Sequence, residues 1–145
     1  MSEKFDDDGI LNFWREQARV HGTSSNVSWS DRPVMEMEIQ QISSLLPESG
    51  RLLDVGCANG ASTIEYARAS KIKIVGVDYA EEMMEAAEAN LVDQSKDIRD
   101  RVSFNVGDAR CLEIANADSE YEIVSASRAV NRAKSLQNLC TAGTP

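Results

Sequence analysis

The sequence predicts an α/β fold: a mostly parallel sheet flanked by helices, with an N-terminal helical cap. Three observations carry this. From Gly50 onward, short apolar runs alternate with longer amphipathic stretches, the rhythm of β-α-β units joined by right-handed crossovers. The first of these runs ends in a glycine-bearing turn that opens a helix. Before Gly50 the apolar residues recur at helical rather than strand spacing.

The elements follow in order. Residues 10–20 place Ile10, Leu11, Trp14 and Ala18 on one helical face, and the turn formers from His21 to Asn26 break the pattern. A second helix begins after Ser30-Asp31-Arg32-Pro33, where Asp31 can cap and Pro33 fits the first turn. Its apolar face is Met35, Ile39, Ile42 and Leu46, and Pro47-Glu48-Ser49-Gly50 ends it. Strands are predicted at 51–55, 72–77, 102–106 and 121–126, and helices at 61–70 and 81–91. A further helix is expected over 131–139. In sheets of this kind ligands bind outside the carboxyl ends of the strands, so the chemistry is sought there.

Composition removes several classes of function. A chain of 145 residues supports one core. No apolar stretch approaches the roughly 20 residues that cross a bilayer. The start, Met-Ser-Glu-Lys-Phe-Asp-Asp-Asp, has no secretory pattern. Cys57, Cys111 and Cys140 are odd in number and lack CxxC spacing, which fits reduced thiols in a cytoplasmic setting. With His21 the only histidine, no metal site is expected. The net charge of −9 opposes binding to nucleic acid, which demands a basic footprint.

The first strand runs into Asp54-Val55-Gly56-Cys57-Ala58-Asn59-Gly60, where Gly56 and Gly60 permit a tight turn and close approach of a ligand to the backbone. The helix that follows directs its free N–H groups and positive dipole end into the same space. Asp78 ends the second strand roughly 20 positions after Gly56, the spacing of a carboxylate that accepts hydrogen bonds from ribose hydroxyls. Taken singly, the turn could merely connect two elements, and Asp78 could cap the next helix. Taken together and in order, they favour an adenosine-type ligand. A dinucleotide fingerprint would need small residues at Gly56, Ala58 and Ala61, of which only the first is glycine. The pattern Asp54-x-Gly56-x-Ala58-x-Gly60 fits better.

At this point the chain resembles the class I S-adenosylmethionine-dependent methyltransferases, whose Rossmann-like core opens with an apolar strand, an acidic residue and Gly-x-Gly-x-Gly; Ala58 departs from it at the middle glycine. Val75-Gly76-Val77-Asp78-Tyr79-Ala80-Glu81-Glu82-Met83-Met84 is similar to the second family motif, in which the acidic residue holds the ribose and Tyr79 and Met83 would flank the adenine. Phe104-Asn105-Val106-Gly107-Asp108-Ala109 resembles the third, where Asp108 would meet the adenine amino group and Ala109 its edge. A plain Gly-Asp turn is the other reading of Asp108. Tyr121-Glu122-Ile123-Val124-Ser125 matches the fourth strand, with Glu122 in place of the usual Asp. The cofactor set implied is Asp54, Gly56, Cys57, Ala58, Gly60, Asp78, Tyr79, Met83, Asp108, Ala109 and Ser125.

The resemblance extends to a subset that modifies small metabolites, in which a Phe-Trp helix and a Gly-Thr-Ser loop precede the core. Phe13, Trp14, Gly22, Thr23, Ser24 and Trp29 stand at such positions, although Trp14 also suits simple core packing. Methyl transfer to a small-molecule acceptor is the implied activity, with S-adenosylmethionine as cofactor and S-adenosylhomocysteine as its product. The transfer is an in-line displacement that depends on positioning and needs no obligatory general base. His21, Ser127, Arg128 and Asn131 are the candidate substrate residues. His21 could equally be a solvent-exposed loop residue and Arg128 a surface one. The Asn/Asp-Pro-Pro-Tyr/Phe segment of DNA and protein amide methylases and the Asp of metal-dependent catechol methylases are both missing at Ser125-Ala126-Ser127-Arg128.

The family core has seven strands in the spatial order 3-2-1-4-5-7-6, and only the first four are legible here. The chain is therefore read as a single incomplete domain, with residues 1–47 as the N-terminal helical segment and 48–145 as the cofactor-binding part. As such it is expected to be weakly active or inactive. An exposed fourth strand could drive self-association. Two other functions stay open: a non-catalytic S-adenosylmethionine-binding or interaction module, and a NAD-type dinucleotide-binding protein.

Overall fold

The computed structural model describes residues 7–27 and 31–108, and the backbone of 123–125. Helix α1 (Asp7–His21) is followed by a 3-10 turn (Ser25–Val27), α2 (Arg32–Leu45), β1 (Arg51–Val55), α3 (Ala61–Arg68), β2 (Lys73–Asp78), α4 (Glu81–Val92), α5 (Lys96–Arg101), β3 (Val102–Val106) and β4 (Ile123–Ser125). The four strands form one parallel sheet in the order β3-β2-β1-β4. This is the Rossmann-like architecture expected, with the strand order of the first four family strands.

The central position of β1 explains its composition. It is hydrogen-bonded on both edges, to β2 from Arg51↔Lys73 and to β4 from Leu52↔Ile123. Leu52, Leu53, Asp54 and Val55 are all buried, so the strand reads as a continuous run instead of an alternating one. β3 pairs only with β2 among the described strands, and it alternates: Val102 and Phe104 are buried while Ser103 and Asn105 are exposed.

The core gathers Leu52, Tyr66, Ala67, Ile72, Ile74, Met83, Ala87 and Phe104 with Ala18 and Val27 from the N-terminal segment. Leu11, Trp14, Ile39, Ile42 and Leu46 pack against it half-buried. Asp31 caps α2 as expected, its Oδ1 accepting from Val34 N at 3.2 Å, with Pro33 in the first turn. α1 lies on α4, where Glu82 receives Arg15 at 3.4 Å and Arg19 at 3.8 Å.

Several boundaries differ from the sequence reading. β2 begins and ends one residue later than 72–77, because Asp78 joins the ladder opposite Val106 while the Ile72 carbonyl accepts from Arg101 instead. α3 stops at Arg68, and Ser70 Oγ donates back to Tyr66 O at 2.8 Å. Helix α5 was not foreseen. Its only apolar residue is Ile98, so it has no hydrophobic period to read. It is held by Ser95, whose hydroxyl accepts from Ile98 N, by the Lys96–Asp100 and Arg101–Asp97 pairs, and by Arg101 donating to Ala67 O and Ile72 O. The remainder of the predicted 121–126 strand and the predicted 131–139 helix lie outside the described residues.

Candidate functional site

The carboxyl ends of β1, β2 and β3 meet around Asp78. Its Oδ2 accepts from Ala58 N at 3.0 Å and its Oδ1 from Ala80 N at 3.1 Å, while its backbone carbonyl accepts from Gly107 N at 2.9 Å. One residue thus ties the turn after β1, the start of α4 and the end of β3. The helix-capping role open to Asp78 is realised only locally: the N-cap position of α4 is Ala80, with no side-chain cap, and Asp78 serves that residue's N–H.

The turn at 56–60 is built from backbone conformations that side chains resist. Gly56 and Gly60 have φ of 74° and 73°, and Ala58 has φ of 49°, the one positive φ among non-glycine residues described. The left-handed region costs an L-residue roughly 1–2 kcal/mol. Ala58 holds it with its N–H on the buried Asp78 carboxylate. Gly56 N and Cys57 N both donate to Val77 O, at 2.7 and 3.1 Å, which folds the turn back across the end of β2.

Gly60, which takes the left-handed φ that the predicted tight turn needs, also has a packing reason for being glycine. A Cβ there would stand 2.4 Å from Phe104 Cζ, and one on Gly76 2.6 Å from Phe104 Cδ1. The Phe104 ring fills the space that both glycines leave, fixing the start of α3 over the middle of the sheet.

Beneath the turn, Thr63 Oγ1 donates to Asp54 Oδ2 at 2.7 Å, both residues being buried. Asp54 sits opposite Ser125 in the β1–β4 register, so these two predicted residues occupy neighbouring strand ends. Cys57 is buried beside Gly76. Tyr79 and Asp108 are half-buried, and Asp108 directly follows the residue bonded to Asp78. Met83 lies 1% exposed in the core cluster, packed behind the strand ends.

Of the substrate candidates, half-buried His21 precedes a turn that reaches the 56–60 turn: Gly22 O and Ser24 O accept from Asn59 Nδ2 at 3.0 and 2.8 Å. Ala109, Ser127, Arg128 and Asn131 lie outside the described residues. Sequence reasoning missed Asn59, Asn90, Thr63 and Phe104 as parts of this arrangement. Asn59 offered one signal, a large amide flanked by small residues in a tight turn, which must find partners if buried. Asn90 offered none, because its partners are distant in sequence.

Among the described residues no cluster of three or more His, Cys, Asp or Glu is arranged to hold a metal ion. None of the helices described is long and apolar enough to cross a membrane.

Comparison with known proteins adds to this geometry. Residues 52–141, more than half of the chain, match a family model described as a methyltransferase domain. A curated relative, 27-O-demethylrifamycin SV methyltransferase of Amycolatopsis mediterranei (strain S699), is 34% identical over 74 residues, which cover 51% of this chain and 26% of the relative. Among solved structures, the YjhP protein of E. coli superposes with a TM-score of 0.60 at 17% identity, covering 89% of this chain and 47% of that one. The glycopeptide N-methyltransferase MtfA, in complex with S-adenosyl-L-homocysteine, gives 0.58 at 17% identity, covering 70% and 39%. At such identities the structural likeness speaks for the fold. The chain spans about a quarter of the curated relative and less than half of these two structures.

Proposed function

The chain belongs to the methyltransferase-domain family, and we propose that it forms the cofactor-binding part of a protein that transfers the methyl group of S-adenosylmethionine to a small-molecule acceptor. The observation that carries this reading is the junction at Asp78, where the 56–60 turn, the start of α4 and the Gly107-Asp108 segment are fastened to one another. The residues suit the cofactor chemically. Carboxylates only accept hydrogen bonds and offer roughly four lone-pair sites each. Asp78 and Asp108 at adjacent strand ends therefore favour a ligand rich in hydroxyl and amino donors over a pyrophosphate.

In this reading Asp78 holds the ribose hydroxyls, and Tyr79, Asp108 and Ala109 receive the adenine, with Met83 supporting that wall from the core. Asp54, Gly56, Cys57, Ala58, Gly60 and Ser125 shape the space for the amino-acid end. The cofactor, when bound, supplies a methyl group already activated on a sulfonium. What the chain does is hold donor and acceptor in line and exclude water, and good positioning alone removes several kcal/mol of barrier. His21, Ser127, Arg128 and Asn131 are proposed to face the acceptor. The rifamycin-type relative supports a small organic acceptor, as does the acidic balance of the chain.

Calorimetric titration with S-adenosylhomocysteine tests the reading. Binding is expected, and Asp78→Ala should weaken it by about 1–3 kcal/mol, the worth of a hydrogen bond to a charged group. Binding of NADH without binding of S-adenosylhomocysteine would overturn the cofactor assignment. With isotopically labelled methyl donor and the full-length protein, label should enter small metabolites, and its robust entry into RNA would overturn the acceptor class.

A further inference from the structure

We propose that Asn59 is a positioning residue that latches the 22–24 turn onto the cofactor loop, with Asn90 securing both, so that cofactor binding and docking of the N-terminal segment are one coupled equilibrium. The proposal rests on the cofactor reading above. Asn59 is 2% exposed, and burying an amide costs free energy unless its hydrogen bonds are met. Both of its side-chain donors are spent on the same turn, on Gly22 O at 3.0 Å and Ser24 O at 2.8 Å. The intervening carbonyl, Thr23 O, accepts from Asn90 Nδ2 at 3.2 Å. Three successive carbonyls of the turn therefore each receive an amide donor from a distant part of the chain.

Asn90 Nδ2 also donates to Asn59 O at 3.0 Å, so the helix that supports the turn holds the cofactor loop as well. Asn59 cannot shift alone. Ala58 before it is fixed by Asp78, and Gly60 after it is packed on Phe104. A displacement of the 56–60 turn is therefore passed to residues 22–24, and through Gly22, which donates to Ala18 O, to the end of α1 and His21. Arg15 and Arg19 of α1 also pair with Glu82 of α4. Partly exposed pairs of this sort are worth little and are screened by salt. The amide latch is the tie that meets the cofactor loop itself. Coupling between two binding events is reciprocal, so a cofactor that settles the loop must settle the turn by the same factor.

The test combines calorimetry with amide hydrogen exchange at Gly22 and Ser24, with and without saturating S-adenosylhomocysteine. In the parent chain the ligand should slow exchange at both amides by about tenfold, within the range typical of coupled sites. Asn90→Ala keeps a good helix former in α4 and removes the Thr23 and Asn59 contacts. It should weaken ligand binding and reduce, without abolishing, the ligand-dependent slowing, because the Asn59 donors to Gly22 O and Ser24 O remain. Asn59→Asp keeps the side-chain volume and the Oδ1 that accepts from Ala61 N, turns the donor into a carboxylate oxygen facing the Gly22 and Ser24 carbonyls, and should abolish the slowing. Glu82→Gln removes the ion pairs alone and should leave the coupling intact. A purely structural role would lower the melting temperature without changing ligand-dependent exchange. Parent-like affinity and slowing in a folded Asn59→Asp variant, or in Asn90→Ala where Asn59→Asp does not fold, overturn the latch while leaving the cofactor reading standing. No binding to the parent chain overturns both.

Discussion

The two ends of the sheet are fastened by opposite means. At the carboxyl end, the ties are buried: Asp78 to Ala58 and Ala80, Thr63 to Asp54, Asn59 to the 22–24 turn, and two glycines against Phe104. At the opposite end, Arg101 reaches the Ala67 and Ile72 carbonyls and pairs with Asp97, which also receives Lys71 at 3.6 Å; Asp97 and Lys71 stand largely in solvent. The first end gathers a left-handed alanine and the buried Asp54, Asn59 and Asp78, whereas at the second only Arg101 is nearly buried and its partners Asp97 and Lys71 are exposed. A buried polar tie is exact and costly to break, while an exposed ion pair is forgiving and worth little. The contrast agrees with the site proposed at the carboxyl end, since strain persists only where surrounding structure over-determines it.

Gly60→Ala attacks the costly end most directly. It adds a Cβ 2.4 Å from the Phe104 ring at a φ of 73°. Overpacking and left-handed strain together should cost about 2–4 kcal/mol in chemical denaturation. Phe104→Leu in the same chain should return part of that loss, and no recovery would mean that the strain, not the ring, dominates.

Thr63→Val comes next. It preserves shape, removes the donor to Asp54 Oδ2 and leaves a buried carboxylate one hydrogen bond short, which should cost about 1–3 kcal/mol in the same measurement. A near-neutral result would show that water reaches Asp54 and that this end is less sealed than its burial indicates.

Ala58→Gly should act in the opposite direction. It relieves the left-handed strain of Ala58, offset by the greater freedom of glycine in the unfolded chain, for a gain of up to about 1 kcal/mol. Cofactor affinity should be kept or improved, since the glycine restores the family pattern at this position. Destabilisation would mean that the Ala58 methyl contributes packing beyond what the strain costs.

The smallest effect belongs to the forgiving end. The Arg101 hydrogen bond, aided by the charges of Arg101 and Lys71 and opposed by desolvation, holds the Asp97 carboxyl below its ordinary value. A carboxyl lowered in the folded state stabilises the fold above the unfolded value near 4, and loses that contribution as pH falls through the folded value. Asp97→Asn should therefore flatten the acid limb of the stability profile slightly and change nothing at neutral pH beyond the loss of a screened pair. A large drop at pH 7 would erase the distinction between the two ends.

How much of this was legible follows from the range of each signal. The strands, α3, α4 and the cap of α2 were readable because apolar runs, Gly56 and Asp31 act on their near neighbours. Asp78 and the order of motifs pointed to the strand ends at which Asp78 ties the 56–60 turn, the start of α4 and the end of β3 together. The turn at Gly60 was readable, but its packing against Phe104 was not, since Phe104 lies far along the chain. The Asn59–Asn90 arrangement escaped for the same reason: a buried amide declares its partners only once the chain is folded. Helix α5 escaped because ion pairs and a capping serine carry no period.

The place of β1 in the middle of the sheet also sets a timetable. During synthesis β1 emerges before either neighbour, and its second edge stays open until residues 123–125 have appeared. α1 emerges earlier still, yet its partner Glu82 and the loop that holds its end are made later. The oldest part of the chain thus cannot dock until Asn59, Glu82 and Asn90 have been made. Parallel pairings of this span are slow to form, and an apolar strand waiting with a bare edge is what chaperones bind and what aggregates capture.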